Sequence, residues 1–365
     1  MRRLQGTGRA IRKRDLAAGV LSLVATSLVF LAGCSNGPSG RNEFVYVVVP
    51  DASLRDRVAT IYTKTGLVHN GERLQVLERM PSRRFVRVRT PRGEQGWVQE
   101  RFLADQQTYD QFARLAEQFR STPGQGSATI LQQAKVHMLP GRKTGFLYLL
   151  NEKDKVEILE RQTIDRNATL GKEEKPKDAD TDTADEDSDK PPDQPAIWED
   201  WWLIRDAQQR IGWVFGRVLY LDVPDEVAQY AEGRRIVAIY KLDEVPDGDK
   251  KVADYLMLLT EPKDGMPYDF DQMQVFTWNA RKHRYETAYH ERGFSGMLPV
   301  SQGQQDFGRE GTLPTFTLRI KKEDGETMDE TYKFNRPIVH RVLAPGEHVQ
   351  ARTHAKKASA ASRKR

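Results

Sequence analysis

One pattern is written twice in this chain, and it constrains the fold more than any other feature. Residues 66–103 read GLVHNGERLQVLERMPSRRFVRVRTPRGEQGWVQERFL. Residues 145–162 begin the second copy as GFLYLLNEKDKVEILERQ, and residues 198–221 resume it as WEDWWLIRDAQQRIGWVFGRVLYL. Leu74, Val76 and Leu77 match Val156, Ile158 and Leu159, and Glu78-Arg79 matches Glu160-Arg161. Arg89 matches Arg205, Gly96-Trp97-Val98 matches Gly212-Trp213-Val214, and Arg101 and Leu103 match Arg217 and Leu219. Self-similarity of this kind implies one structural unit used twice. LQVLER and FVRVRT alternate apolar and polar residues, as half-buried strands do. Thr90-Pro91-Arg92-Gly93 and Asp206-Ala207-Gln208-Gln209 fall where tight turns are needed. The expected class is mainly β.

The repeat resembles the bacterial SH3-like (SH3b) domain. The late Gly-Trp-Val and the leucine after it carry the resemblance, with Ser53-Leu54-Arg55 and Lys135-Val136-His137 as the early strand. It covers residues 44–104 and 128–222 and implies two small SH3-like β-barrels. Such folds bind peptides or, in bacteria, cell-wall fragments. The resemblance therefore makes Trp97, Phe85, Trp201, Trp202 and Trp213 candidate ligand-binding residues, forming an aromatic wall. The other reading of Trp97 and Trp213 is core packing beside a glycine turn. Fold alone does not set function.

Four further segments organise the chain. Residues 105–127 link the units, and Phe112, Leu115, Ala116 and Phe119 recur at helical spacing before Pro123-Gly124. The second unit carries an insert at 166–196, RNATLGKEEKPKDADTDTADEDSDKPPDQPA, where the first has only MPSRR at 80–84. Its charge and scarcity of large apolar residues mark a disordered loop between two strands. The run 178–189 lacks the glycine turn and terminal Glu of a calcium-binding EF-hand loop. Residues 230–343 fit neither repeat and read as a β-rich C-terminal domain. RRIVAIYKL and DYLMLLTE are its first strands. MQVFTWN pairs with RYETAYHER, and PTFTLRIKK with ETYKFN across Glu323-Asp324-Gly325-Glu326. Tyr255, Trp278, Tyr285, Tyr289, Phe316 and Tyr332 are its candidate core or surface aromatics. Residues 344–365 form a basic tail.

The amino-terminal end carries Arg2, Arg3, Arg9, Arg12, Lys13 and Arg14, then an apolar run from Leu16 to Gly33. Positive charge, an apolar stretch and small residues is the order of a secretory signal. Leu31-Ala32-Gly33-Cys34 resembles the bacterial lipoprotein box. That resemblance implies a signal at 1–33, lipid attachment at Cys34, and a tether at 34–43. The implied anchor is an acylated (palmitate-type) cysteine in the bacterial cell membrane. By resemblance to the sorting rule of enteric bacteria, Ser35 in place of Asp implies the outer membrane, with the chain facing the periplasm. An uncleaved spanning anchor and a secreted chain are the alternatives.

This leader also accounts for the basic pI near 9.1. Six of the 57 Lys and Arg and one of the 52 Asp and Glu lie in residues 1–34, so the remainder is charge-balanced. Overall charge gives no case for nucleic acid. Cys34 is the only cysteine, so no disulfide forms within the chain. No Ser/His/Asp pattern, phosphate-binding loop or CxxC is present. HRYETAYHE, residues 283–291, holds metal-ligand types in His283, Glu286, His290 and Glu291. On a strand, the odd spacing puts the two histidines on opposite faces. The expectation is a non-enzymatic envelope protein without metal or cofactor, acting in binding or scaffolding. Its partners would be a lipid bilayer through Cys34, and peptidoglycan or an envelope protein. The alternatives are a regulatory or catalytic lipoprotein whose C-terminal β domain is active, and a structural assembly factor.

Overall fold

The computed structural model describes residues 43–167 and 195–343. The signal segment, Cys34, the heart of the insert and the basic tail lie outside the described residues. Those described form three antiparallel sheets of seven strands each. The first holds β1 (Phe44–Val47), β2 (Asp51–Arg55), β3 (Lys64–His69), β4 (Arg73–Met80), β5 (Phe85–Arg89), β6 (Gln95–Gln99) and β7 (Leu103–Asp105). The second holds β8 (Gly126–Ile130), β9 (Ala134–His137), β10 (Phe146–Leu150), β11 (Lys155–Asp165), β12 (Trp198–Asp206), β13 (Ile211–Phe215) and β14 (Leu219–Leu221).

The two sheets share one topology. The first runs β3-β2-β6-β5-β4-β1-β7, and the second runs β10-β9-β13-β12-β11-β8-β14. The register repeats as well. Arg55 lies opposite Trp97, and His137 opposite Trp213. Each long strand has a register shift at the same place in the pattern, between Val76 and Glu78 and between Ile158 and Glu160. The sequence repeat is thus a repeat of strand order, pairing and irregularity.

Each sheet is an open ladder, which corrects the expectation of closed barrels. The end strands β3 and β7 do not pair with each other, nor do β10 and β14. The three-residue β7 runs directly into a helix, so the chain leaves the sheet before it can reach β3. The glycine of each Gly-Trp-Val is required by close approach. A Cβ at Gly212 would stand 2.4 Å from Val136 Cγ1 and 3.0 Å from the His137 carbonyl oxygen. At Gly96 it would stand 2.7 Å from Leu54 Cβ. Both glycines let the tryptophan strand press against the early strand.

Helix α1 (Gln106–Gln118) joins the modules. Asp105 caps it by accepting from the Thr108 amide at 2.8 Å, satisfying one of the free N–H groups of the first turn. Its apolar face reaches both sheets. Tyr109 stacks on Tyr46 at 4.2 Å, Phe112 meets Tyr148 edge-on at 5.4 Å, and Leu115, Ala116 and Phe119 cover the second module's inner cluster. Asn70 adds a polar clasp between the modules. Its amide donates to the carbonyls of Val47 and Leu147, both at 3.1 Å, and its carbonyl accepts from Leu149 N at 3.0 Å.

After the short helix α2 (Asp225–Ala228), the third sheet is a meander in chain order. Its strands are β15 (Arg235–Asp247), β16 (Lys250–Thr260), β17 (Phe270–Asn279), β18 (Arg284–Asp306), β19 (Thr312–Lys321), β20 (Thr327–Asn335) and β21 (Ile338–Val342). Both expected hairpins are present, with Trp278 opposite Tyr285 and Leu318 opposite Glu330. Phe316 and Tyr332 stack in the core at 5.2 Å. One apolar cluster runs from Tyr46 and Phe112 through the second module to Phe316 and Phe334, so the three sheets share a core.

Candidate functional site

The tryptophans singled out in the sequence do not form an exposed wall. Trp97, Trp201, Trp202 and Trp213 are all buried. Trp213 and Trp201 pack with Leu159, Leu203 and Ile211 beneath α1. Trp202, the next residue along the strand, points the other way into the shared core. Phe85 is half-buried, with the Arg55 guanidinium 5.3 Å above its ring and 4.1 Å above that of Tyr62. In the first module the aromatic positions are therefore covered by a cation and filled.

Trp201 reaches a cavity of about 240 Å³. The cavity is lined by Ala134, Lys135, His137, Arg142, Trp201 and Phe215, among others. The indole N–H of Trp201 is buried and has no hydrogen-bond partner. A buried donor left unmet costs roughly 1–3 kcal/mol, so each such group calls for a reason. His137 is also buried. Its Nδ1 lies 3.0 Å from the Thr144 carbonyl oxygen, which fixes the proton on Nδ1 and leaves Nε2 as an acceptor. Burial holds the imidazole below the usual histidine range, against the Thr144 hydrogen bond, and nearby Lys135 lowers it further. His137 is therefore a neutral acceptor near pH 7.

Two cations rim the cavity. Lys135 Nζ stands 4.1 Å above the Phe146 ring, and the Arg142 guanidinium 4.4 Å above Phe215. Arg142 also donates its Nε to Glu199 at 2.9 Å. The other oxygen of Glu199 is buried without a partner.

A larger cleft, about 500 Å³, lies between the second module and the third sheet. Leu219, Leu221, Ile236 and Val237 supply apolar walls, and Arg217, Arg234, Arg235 and Asp264 supply charge. Those charges are engaged: Arg235 donates across the junction to Asp200 at 2.8 Å and within the third region to Asp264 at 2.9 Å, and Arg234 pairs with Asp271 in the third sheet. Behind them lies a fully buried triad. Arg161 donates to Asp200 at 2.8 Å and to Asp269 at 3.1 Å, all three side chains being 4% exposed. Burial raises the Asp200 carboxyl, but Arg161 and its hydrogen bonds hold it below the usual range overall. Burial wins at Asp269, which is raised. This cleft is the seam that joins two sheets.

The HRYETAYHE segment opens β18, one arm of the hairpin with β17, and forms no convergent centre. His283 Nδ1 lies 3.1 Å from Asp247, Glu286 accepts from Lys282 at 2.8 Å, and Glu291 accepts from Tyr289 at 2.8 Å. Among the described residues no group of three or more His, Cys, Asp or Glu side chains is placed to hold a metal ion. No described helix is long and apolar enough to cross a membrane. Sequence reasoning named Trp201 for its ring. It missed Lys135 and Arg142 as partners, and treated His137 only as part of a strand motif.

No family model matches the chain, and no curated protein matches it in sequence. Solved structures aligned with it include NlpC2 from Trichomonas vaginalis, at 11% identity over 83% of this chain and 96% of that one, TM-score 0.16. NlpC1 from the same organism aligns at 9% identity over 84% and 92%, TM-score 0.16. An NlpC/P60 family protein from Bacillus cereus ATCC 10987 aligns at 10% identity over 80% and 95%, TM-score 0.21. Superpositions this loose carry no argument about fold or activity.

Proposed function

We propose that this chain is a lipid-anchored binding and scaffolding protein of the bacterial envelope, with two SH3-like modules left open rather than closed. Cys34, the only cysteine of the chain, carries the lipid. The ligand is peptidoglycan or an envelope protein. The observation that carries the reading is the second module's cavity, where a neutral His137 lies beside Lys135 and Arg142 among aromatic side chains. These groups suit recognition: they offer hydrogen bonds and charge without a nucleophile and base in contact. The welded seam to the third sheet supports a scaffold, since it fixes the module's orientation against its neighbour.

Two repeated modules on one body gain avidity only if both sites face one ligand. The filled aromatic positions of the first module instead leave recognition to the second. The test is capture with the detergent-solubilised full chain as bait, against purified cell walls and a solubilised envelope fraction. The expected result is saturable retention of cell wall or of a defined envelope protein. Retention of neither at micromolar bait contradicts the reading.

A further inference from the structure

We propose that the outer face of the first module docks on an anionic phospholipid surface; this rests on the lipid-anchored reading above and names the side of the body that meets the membrane. Arginines on that face meet lipid phosphates, and the loop carrying Ile61 enters the headgroup layer.

Strand pairing assembles the face. Side chains directly opposite one another on antiparallel strands share a face. One row runs Lys64, Arg55, Trp97, Arg87 and Glu78 across β3, β2, β6, β5 and β4. The row on one side of it holds Gln99, Phe85 and Met80, and the row on the other holds Gln95, Arg89, Gln75 and Phe44. In these rows the cations Lys64, Arg55, Arg87 and Arg89 stand against one carboxylate, that of Glu78. Arg83 and Arg84, both exposed, extend the charge past the end of the β4–β5 hairpin. Among the described residues no carboxylate pairs with Arg55, Arg83, Arg84, Arg87 or Arg89.

The loop after β2 is pinned beside these arginines. The Arg55 guanidinium lies over both the Tyr62 and Phe85 rings, and Arg83 donates to the Val58 carbonyl at 2.8 Å. Ile61, next to Tyr62, is 86% exposed. Basic side chains around an exposed apolar tip suit a membrane surface, where charge meets phosphate and the tip leaves water. An acidic protein or polymer would satisfy the arginines and leave Ile61 in water. Phe44, the first residue of β1, lies in the third row, so the ten residues 34–43 join the module at this same face. At about 3.3–3.6 Å per residue they reach no further than about 36 Å from Cys34.

The second module shows the same face covered. There Leu203 stands in the place of Arg87 and Ile211 in that of Gln95, and both pack with Trp201 and Trp213 against Leu115, Ala116 and Phe119. In the first module Arg87 and Arg89 stay exposed. One copy of the face is apolar and closed by α1, and the other is cationic and open.

The experiment reconstitutes the purified full chain with Ile61→Cys, labelled there with a polarity-sensitive dye, into vesicles. These are phosphatidylcholine alone, or phosphatidylcholine with about one-third phosphatidylglycerol. An acylated Cys34 is closed to the dye, and the wild-type chain is the blank. The expected result is dye emission that shifts to the blue and rises about twofold in the anionic vesicles only, reversed by high salt. Arg84→Gln/Arg87→Gln should remove about half of that rise or more. Circular dichroism checks that this variant folds. Dye that stays in water on anionic vesicles, or responds equally to both vesicle types, would overturn the docking, as would a full rise in the arginine variant. Flotation separates this from the anchor. A chain that floats with both vesicle types while its dye stays in water keeps the anchor and loses the docking face. A wild-type chain that takes dye at Cys34 loses the lipid anchor, and the signal at position 61 above that blank still decides the docking.

Discussion

Replacing Arg161 with Met will destabilise the protein by about 3–5 kcal/mol, the usual loss when one member of a buried ion pair is removed. Met keeps much of the side-chain volume, so the effect is electrostatic rather than a cavity. Asp200 would keep Thr163 at 2.8 Å and Arg235 at 2.8 Å. The Asp269 carboxylate would keep the Leu298 amide at 2.8 Å but lose its cation, and its buried charge would be stranded. The Tyr268 carbonyl would also lose its donor at 2.9 Å. The sign with pH follows from Asp269. Burial raises its folded pKa above the unfolded value, so protonation favours the folded state as pH falls. The deficit of Arg161→Met will therefore shrink on acidification, and Arg161→Met/Asp269→Asn will recover at least half of it at pH 7. Urea unfolding of the wild type, Arg161→Met and the double variant checks this. A change below about 1 kcal/mol in the single variant, within the range of exposed pairs, would mean the triad does not hold the seam.

Gln125→Leu is the second large effect. Gln125 is wholly buried where the second module meets the third sheet. Its carbonyl accepts from Tyr240 Oη and from Val300 N, both at 2.6 Å. Its amide donates to Pro123 O at 2.7 Å. Leucine is similar in size and removes every one of these bonds. Tyr240 is itself buried, so its hydroxyl has no nearby water to turn to. Two stranded donors at about 1–3 kcal/mol each predict a loss of about 2–5 kcal/mol. Adding Tyr240→Phe to Gln125→Leu removes one of the stranded groups and should restore about 1 kcal/mol or more. A thermal melt of the single and double variants checks it. A double variant that melts well below the single would show that Tyr240 keeps another partner.

These two sites also mark where the sequence stopped being informative. The repeat was legible because alternation and Gly-Trp-Val report local pairing, and the structure returns the same order in both sheets. The third region's hairpins were legible for the same reason, from alternation broken at Asn279 and at Asp324-Gly325. Closure was not legible. Whether a ladder closes depends on where β7 leads, and it leads into α1. The adjacent pair Trp201-Trp202 shows the limit for the site. Neighbours on a strand face opposite ways, so one of them looks exposed unless both faces are covered. Here α1 covers one face and the shared core covers the other. In the sequence Arg161 is only one half of the Glu-Arg match between the two repeats. Its buried partners are Asp200, on the paired strand β12, and Asp269, which the third region brings in. The same holds for the site cavity, where Lys135, Arg142 and Trp201 meet only across three separate segments.

The measurement that tests the account most directly is mass spectrometry of the mature amino terminus, with membrane fractionation of Cys34→Ala. The account predicts a chain beginning at Cys34 with acyl chains attached. It also predicts that the Ala variant loses this modification and the cleavage that follows it. One acyl chain holds a protein only marginally, while two or more hold it stably, so the modified form should stay in the membrane fraction through a salt wash. An unmodified wild-type chain recovered in the soluble fraction would contradict the account.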